Sequence, residues 1–263
     1  MVQPRLLTFN FHEPYLCLMA KTGLHFDVGT YDSGRLSRRW HTEYRPLPKN
    51  LTLVEEPIWR GNLNEGKYDV VIAQNEMNAA DVRNVPAKRL LVCHNRRSFL
   101  SAGATGETAN PVEEFAHLLS LLQERFAFVF ISESKRDDYG IDGIVIPPGI
   151  DLDDWGGYTG RDARVLRVGN TMAERDLMFD IAFQNEALGS LPSVVVGYNP
   201  GIPGAEQPDS FEALREYYRS CRVLLHVTRQ EYEDGYNLAM LEAMATGMPV
   251  IALANHTSPL TDG

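Results

Sequence analysis

The chain has 263 residues, 44% of them hydrophobic and 23% charged, a globular balance with enough length to bury sizeable cores. Its 25 Lys and Arg against 35 Asp and Glu give a formal net charge of −10, so it lacks the overall basic footprint with which nucleic-acid binders displace counterions. No apolar run approaches the roughly 18–20 residues that span a bilayer, and Met1-Val-Gln-Pro-Arg5 has none of the parts of a secretory leader.

Short apolar, β-rich runs alternate with helical patterns along the chain. The predicted strands of the first half are Leu6–Phe9, His25–Thr30, Leu51–Val54, Tyr68–Ala73, Arg89–Cys93, Ala127–Ile131 and Gly143–Ile146. Those of the second half are Val165–Val168, Ser193–Val196, Val223–Val227 and Pro249–Leu253. Helices are expected over Pro14–Lys21, Pro111–Glu124, Lys135–Tyr139, Glu174–Leu188, Ser210–Arg219 and Leu238–Thr246, with Pro14 and Pro111 at first-turn positions where a missing N–H costs nothing. Thr30–Asn50 has weak periodicity and is expected as loop. Near-continuous apolar strands separated by helices predict an α/β protein of two Rossmann-like, doubly wound parallel sheets. The seam is the Pro-, Gly- and Asp-rich stretch Ile146–Tyr158, giving domains 1–155 and 156–263. Cys17, Cys93 and Cys221 are scattered through apolar segments. They read as reduced and buried in a cytoplasmic protein, with neither a disulfide frame nor a zinc site.

Chemistry concentrates in Glu231-Tyr-Glu-Asp-Gly-Tyr-Asn-Leu-Ala-Met-Leu-Glu-Ala-Met-Ala-Thr-Gly-Met-Pro-Val-Ile-Ala252. An acidic, Gly-bearing loop follows a strand, Asn237 caps the next helix, and Leu238, Leu241 and Ala245 mark its expected packed stripe. Ligands of open parallel sheets bind beyond the carboxyl ends of the strands, and a helix N-terminus there favours a phosphate. Carboxylates accept hydrogen bonds from sugar diols, so of Asp234 and Glu242 one can hold a ribose while the other holds a sugar ring, with a diphosphate between them. The competing reading is a solvated helix glutamate below an exposed acidic loop. No P-loop, H-E-x-x-H or G-x-S-x-G occurs, and Gly197–Gly204 lacks G-x-G-x-x-G spacing.

The segment Asp234–Ala252 resembles the E-x7-E block of retaining glycosyltransferases of the GT-B fold, above all glycosyltransferase family four (group 1). There it is written E-G-F-G-L-x-x-L-E-A-M-A-x-G-x-P-V-I-A. Phe128–Lys135 and Val145-Ile-Pro-Pro-Gly-Ile-Asp151 resemble the family's strand-Ser-x-x-x-Lys and I-P-x-G-I-D segments.

The resemblance implies transfer of a sugar from a nucleotide-diphosphate-sugar donor with retention of configuration, without a bound metal or other cofactor. Glu242 would hold the donor ribose and Asp234 the transferred sugar, one methylene shorter than the family's Glu. The backbone of Gly235, Tyr236, Asn237 and Leu238 would face the diphosphate. The family's G-R-x-x-x-x-K, which supplies two cations to the diphosphate, is matched by Gly169-Asn-Thr-Met-Ala-Glu-Arg175 as a donor-binding segment. Asn170 stands in place of the Arg, so that one cation is lost, and Arg175 either stands for the Lys or serves as a surface helix charge. His94, after a strand, stands where family members often carry a histidine that contacts the sugar donor, the competing reading being a loop or capping histidine. His12 and Glu13 replace a Gly-Gly turn and would line the acceptor side or cap a helix. Arg96 and Arg97 could meet an anionic acceptor but are expected to be solvated.

The implied partners are the nucleotide sugar and a sugar, lipid-linked or protein acceptor. Peripheral membrane contact is compatible with this chain, and nucleic acid is not an expected partner. Against the family pattern the sequence reads as C-terminally truncated, because the Gly-rich loop and strand–helix pairs that follow the last strand are missing. Two other readings remain: a nucleotide-sugar epimerase or hydrolase of the same fold, and a degenerate, non-catalytic binding module.

Overall fold

A computed structural model describes residues 3–33, 38–103 and 111–260. The chain divides into two compact units, Met1–Pro147 and Pro148–Gly263. The first runs β1 (Leu6–Phe9), α1 (Glu13–Ala20), β2 (Phe26–Gly29), β3 (Leu51–Val54), α2 (Glu56–Asn64), β4 (Val70–Ala73), α3 (Glu76–Val82) and β5 (Lys88–Cys93). It continues with α4 (Arg97–Ala102), α5 (Pro111–Gln123), β6 (Ala127–Phe130), α6 (Glu133–Tyr139) and β7 (Ile144–Val145). Among the described residues these strands form one seven-stranded sheet, ordered β3-β2-β1-β4-β5-β6-β7, with every pairing parallel.

Strand alternation explains the layers. In β1, Leu7 and Phe9 join Trp59, Val71, Leu91, Phe128 and Phe130 in a core on one face of the sheet. Leu6 joins Leu16, Ala20, Phe26 and Val28 in a second buried cluster with residues of α1. Both faces are covered, so the strands read as apolar runs in the sequence. Between β1 and β4 the strand order reverses, and the loops at the carboxyl ends of these two strands border that switch point.

The second unit runs β8 (Asp162–Val168), α7 (Asp176–Phe179), α8 (Ile181–Leu188), β9 (Ser193–Val196), α9 (Phe211–Ser220), β10 (Cys221–His226), α10 (Leu238–Thr246) and β11 (Val250–Ala252). Its four strands lie parallel in the order β11-β10-β8-β9, which sets the switch point between β8 and β10. Trp155, Leu166, Val196, Leu214, Tyr218 and Met240 anchor its core.

Three local differences from the sequence reading have physical causes. Helices α2, α3 and α4 go beyond the pattern: α2 carries Pro, Gly and two Asn, while α3 and α4 have only seven and six residues. Glu174–Leu188 is two helices. Asp180 adopts the left-handed conformation (φ 50°) that Asp tolerates better than most residues, and its carboxylate accepts from the amide of Phe183 at 3.3 Å and from Arg229 Nε at 3.0 Å. The buried positions of α10 are Met240, Glu242, Ala243 and Thr246 rather than Leu238, Leu241 and Ala245. Apolar residues surround that helix, so its composition does not single out one face. The Thr30–Asn50 segment holds turns rather than regular elements among its described residues, as expected.

Candidate functional site

The residues singled out in the second unit gather at the carboxyl ends of β8 and β10. Asn237 opens α10 as its N-cap: its Oδ1 accepts from the amide of Met240 at 3.1 Å. That fixes the amide orientation, so Nδ2 donates to His226 Nε2 at 2.8 Å. His226 ends β10 as a neutral imidazole, its pKa held down to about 4 by burial. Linkage gives the sign of the pH effect. Between an ordinary value of 6.5 and about 4 the unfolded chain binds more protons at this group than the folded chain does. His226 therefore lowers stability as pH falls through that window and contributes no slope above it. Denaturant unfolding of the wild type at pH 7, 5.5 and 4.5 is expected to show this loss, and His226→Asn is expected to flatten the part that this histidine causes.

Glu242 lies one turn into α10 and is only 5% exposed. Its Oε2 accepts from the hydroxyl of Tyr218 at 2.9 Å, and Tyr218 is itself fully buried edge-on against Trp155. Asp234 is fully buried in the acidic loop, where its Oδ1 accepts from the amide of Tyr236 at 3.0 Å in an Asx-type turn. Gly235 between them takes φ +74°, a conformation that glycine adopts without strain. The Tyr236 amide is thus committed inside the loop, contrary to the expectation that it faces a phosphate. The Tyr236 hydroxyl donates to the carbonyl of Pro148 at 2.7 Å. Leu238 begins the helix half-buried, and the first-turn N–H groups there have no intrahelical acceptor.

The loop after β8 is locked to the loop after β9. Asn170 Oδ1 accepts from the amide of Tyr198 at 2.8 Å, Asn199 Nδ2 donates to the carbonyl of Gly169 at 2.7 Å, and Asn199 Oδ1 accepts from the amide of Met172 at 2.8 Å. Asn170 is therefore a brace between two loops, which its position in the motif did not reveal. Arg175 follows as the residue before α7, its guanidinium 5.0 Å from the centre of the Phe179 ring and Nη2 3.3 Å from Met178 Sδ. Burial lowers its pKa and the nearby Glu233 carboxylate opposes that shift, so the guanidinium stays charged. Glu233 is a residue the sequence reading passed over. It is buried beside Asp234, whose amide donates to its Oε1 at 2.9 Å, while Asn255 Nδ2 donates to its carbonyl at 2.8 Å. Its signal in the sequence was an acid next to the motif position, and nothing local separated it from exposed Glu231.

In the first unit His12 and His94 come together. His12 caps α1, its Nδ1 accepting from the amide of Tyr15 at 3.3 Å, and its ring stacks on His94 with centroids 5.3 Å apart and planes 8° apart. Tyr15 meets the same His94 ring edge-on at 4.6 Å. Burial, then the charges of His12 and Lys135, hold the His94 pKa well below the usual imidazole range, so this ring is neutral at pH 7. Glu13 turns elsewhere: buried at the start of α1, it accepts from the amide of His41 at 3.3 Å, and burial raises its pKa. It braces the segment around His41. Arg96 and Arg97 are not solvated as expected. Arg96 is buried, and Arg97 Nη1 donates to the carbonyl of Tyr139 at 3.1 Å.

Two doubly wound parallel units with this strand order have the GT-B glycosyltransferase fold, and the solved structures that resemble the chain bear this out. Sucrose-phosphate synthase from Thermosynechococcus elongatus superposes with a TM-score of 0.61 at 14% identity, over 95% of this chain and 81% of that one. AviGT4, a glycosyltransferase involved in avilamycin A biosynthesis, gives 0.56 at 14% identity, over 96% and 79%. UGT89C1 of Arabidopsis thaliana complexed with UDP-L-rhamnose gives 0.51 at 11% identity, over 96% and 79%. Residues 192–262, which hold β9 to β11 and the Asp234–Ala252 block, match the family described as Glycosyl transferases group 1. No curated protein sequence matches the chain. Among the described residues, no helix is long and apolar enough to cross a membrane.

Proposed function

We propose that the chain moves a glycosyl group from a nucleotide-diphosphate sugar to an acceptor hydroxyl, with retention of configuration and without a bound metal. The second unit would bind the donor and the first would carry acceptor contacts. What supports this reading is that Arg175 follows β8 while Asp234, Glu242 and the N-terminus of α10 follow β10, the two strands that flank the switch point, and that the β10 side lies inside the segment matched by the group 1 family. Glu242 accepts from Tyr218 at 2.9 Å, and a carboxylate is an acceptor-only group of the kind that suits the hydroxyls of a ribose diol. Arg175 and the helix N-terminus supply positive potential where a departing diphosphate gathers charge, which is the main electrostatic demand of such a transfer. Asp234 reaches the transferred sugar only when the acidic loop turns its carboxylate out of the present Asx turn.

That last requirement, together with the use of Asn170 as a brace, favours one second reading: a module that binds the nucleotide sugar without turning it over. Thermal unfolding with a panel of UDP-, GDP- and ADP-sugars tests the shared premise. A ligand at a hundred times its Kd is expected to stabilise the fold by about 3 kcal/mol. If none of the panel raises Tm, donor binding is wrong. Product analysis with the best ligand, with and without added glycoside acceptors, then separates transfer from hydrolysis and from binding alone.

A further inference from the structure

Behind His94 runs a chain of hydrogen bonds with only one consistent set of proton positions. Thr8 Oγ1 lies 3.0 Å from the carbonyl of Ile72, which can only accept, so the single hydroxyl proton of Thr8 points there. Thr8 then offers lone pairs alone to Gln74, 2.8 Å away, and the group facing it must be the Gln74 Nε2 amide. Met19 Sδ, a weak acceptor 3.5 Å from the same nitrogen, agrees with that orientation. The opposite end of Gln74 is therefore Oε1, which accepts from His94 Nε2 at 2.9 Å. His94 must carry its proton on Nε2 to make that bond, which leaves the Nδ1 lone pair as the free valence of a neutral ring. His12 on one face and Tyr15 edge-on hold the plane of the ring.

We propose that Thr8 and Gln74 are positioning residues that hold His94 as the Nε2–H tautomer, so that its Nδ1 accepts a hydrogen bond from a carbohydrate hydroxyl. The pairing is chemically selective. A lone pair on a neutral ring takes an O–H or N–H donor and repels a phosphate or carboxylate oxygen. The three links come from β1, from the turn after β4 and from the turn after β5, so the parallel order of the sheet is what brings them into line. This inference rests on the proposed glycosyl-transfer reading only for the identity of the hydroxyl. The tautomer itself stands on the hydrogen-bond geometry.

Two-bond ¹⁵N–¹H correlation spectra of the full chain labelled with ¹⁵N-histidine test it directly. His94 is expected to show the Nε2–H pattern alone at pH 7. Thr8→Val, which is close to isosteric, and Gln74→Leu are each expected to add an Nδ1–H population, whereas Thr8→Ser is expected to keep the wild-type pattern. An Nδ1–H or doubly protonated His94 in the wild type would overturn the proposal whatever the variants do, as would unchanged spectra in both Thr8→Val and Gln74→Leu. For the hydroxyl, UDP-glucose, GDP-mannose and ADP-glucose report a donor-sugar source, methyl α-glucoside an acceptor source, and UDP alone is the control. A shift of Nδ1 with a sugar-bearing probe but not with UDP supports the assignment, and no shift with any probe defeats its hydroxyl half. A chain that fails to bind every sugar nucleotide in the thermal assay yet shows the Nε2–H pattern would sink the transferase reading and leave the tautomer intact.

Discussion

Glu242→Ala is expected to weaken nucleotide-sugar binding about a hundredfold and to cost the second unit about 2 kcal/mol. The two losses have different origins. A carboxylate that accepts from a ribose diol makes charge-assisted hydrogen bonds worth about 1.5–3 kcal/mol, which corresponds to about one to two decades in Kd. The stability loss comes from inside the fold, because the buried Tyr218 hydroxyl loses the carboxylate it donates to at 2.9 Å. Glu242→Gln separates the two. Its amide oxygen still serves Tyr218, so stability is expected to stay within about 1 kcal/mol while the charge, and with it most of the donor affinity, goes. Titration calorimetry with the sugar nucleotide that raises Tm, beside urea unfolding of both variants, reads the split. Unchanged affinity in the alanine variant would remove Glu242 from the donor site.

Gly197→Ala is expected to destabilise the second unit by about 3 kcal/mol or more. Gly197 follows β9 with φ +128°, a region closed to residues with a Cβ. An added Cβ would also sit 2.3 Å from the carbonyl oxygen of Gly169 and 2.8 Å from Asn170 Oδ1. The first neighbour is backbone, so relief requires the loops after β8 and β9 to separate, and that breaks the Asn170–Tyr198 and Asn199–Gly169 hydrogen bonds together. Because that brace shapes the stretch leading to Arg175, donor affinity is expected to fall as well. A urea midpoint equal to that of the wild type would show that the loops yield without cost.

Much of this architecture is written locally. Strands buried on both faces appear as Val-, Leu- and Phe-rich runs, and Asn237 before an apolar helix announces a cap. The group 1 resemblance depends on contiguous residues of one loop and one helix, so it could be read directly. What could not be read is whatever depends on which strands adjoin. Gln74 and Thr8 are 66 residues apart and meet only because β4 pairs with β1. Tyr218 and Glu242 belong to different helices. The inward turn of Glu242 was hidden because α10, LAMLEAMAT, is apolar on almost every side. Asn170 illustrates the opposite error: its motif position suggested a ligand contact, and tertiary structure has given its oxygen to Tyr198.

The uniformly parallel sheets also shape how the chain acquires its structure. Leu6 is hydrogen-bonded in register with Phe26 on one side and Val70 on the other, and Leu166 lies between Val194 and Leu224. A parallel pairing cannot close through a tight hairpin and waits for a crossover segment to form, so loop-closure entropy is spent before any ladder rewards it. High contact order of this kind places folding toward the slow end for mixed α/β domains. At about 5–20 residues per second of synthesis, β1 leaves the ribosome several seconds before its partner β4 exists. During that interval the edge of β1 that β4 covers stays open, so the switch point of the first sheet is made late in the synthesis of its own unit.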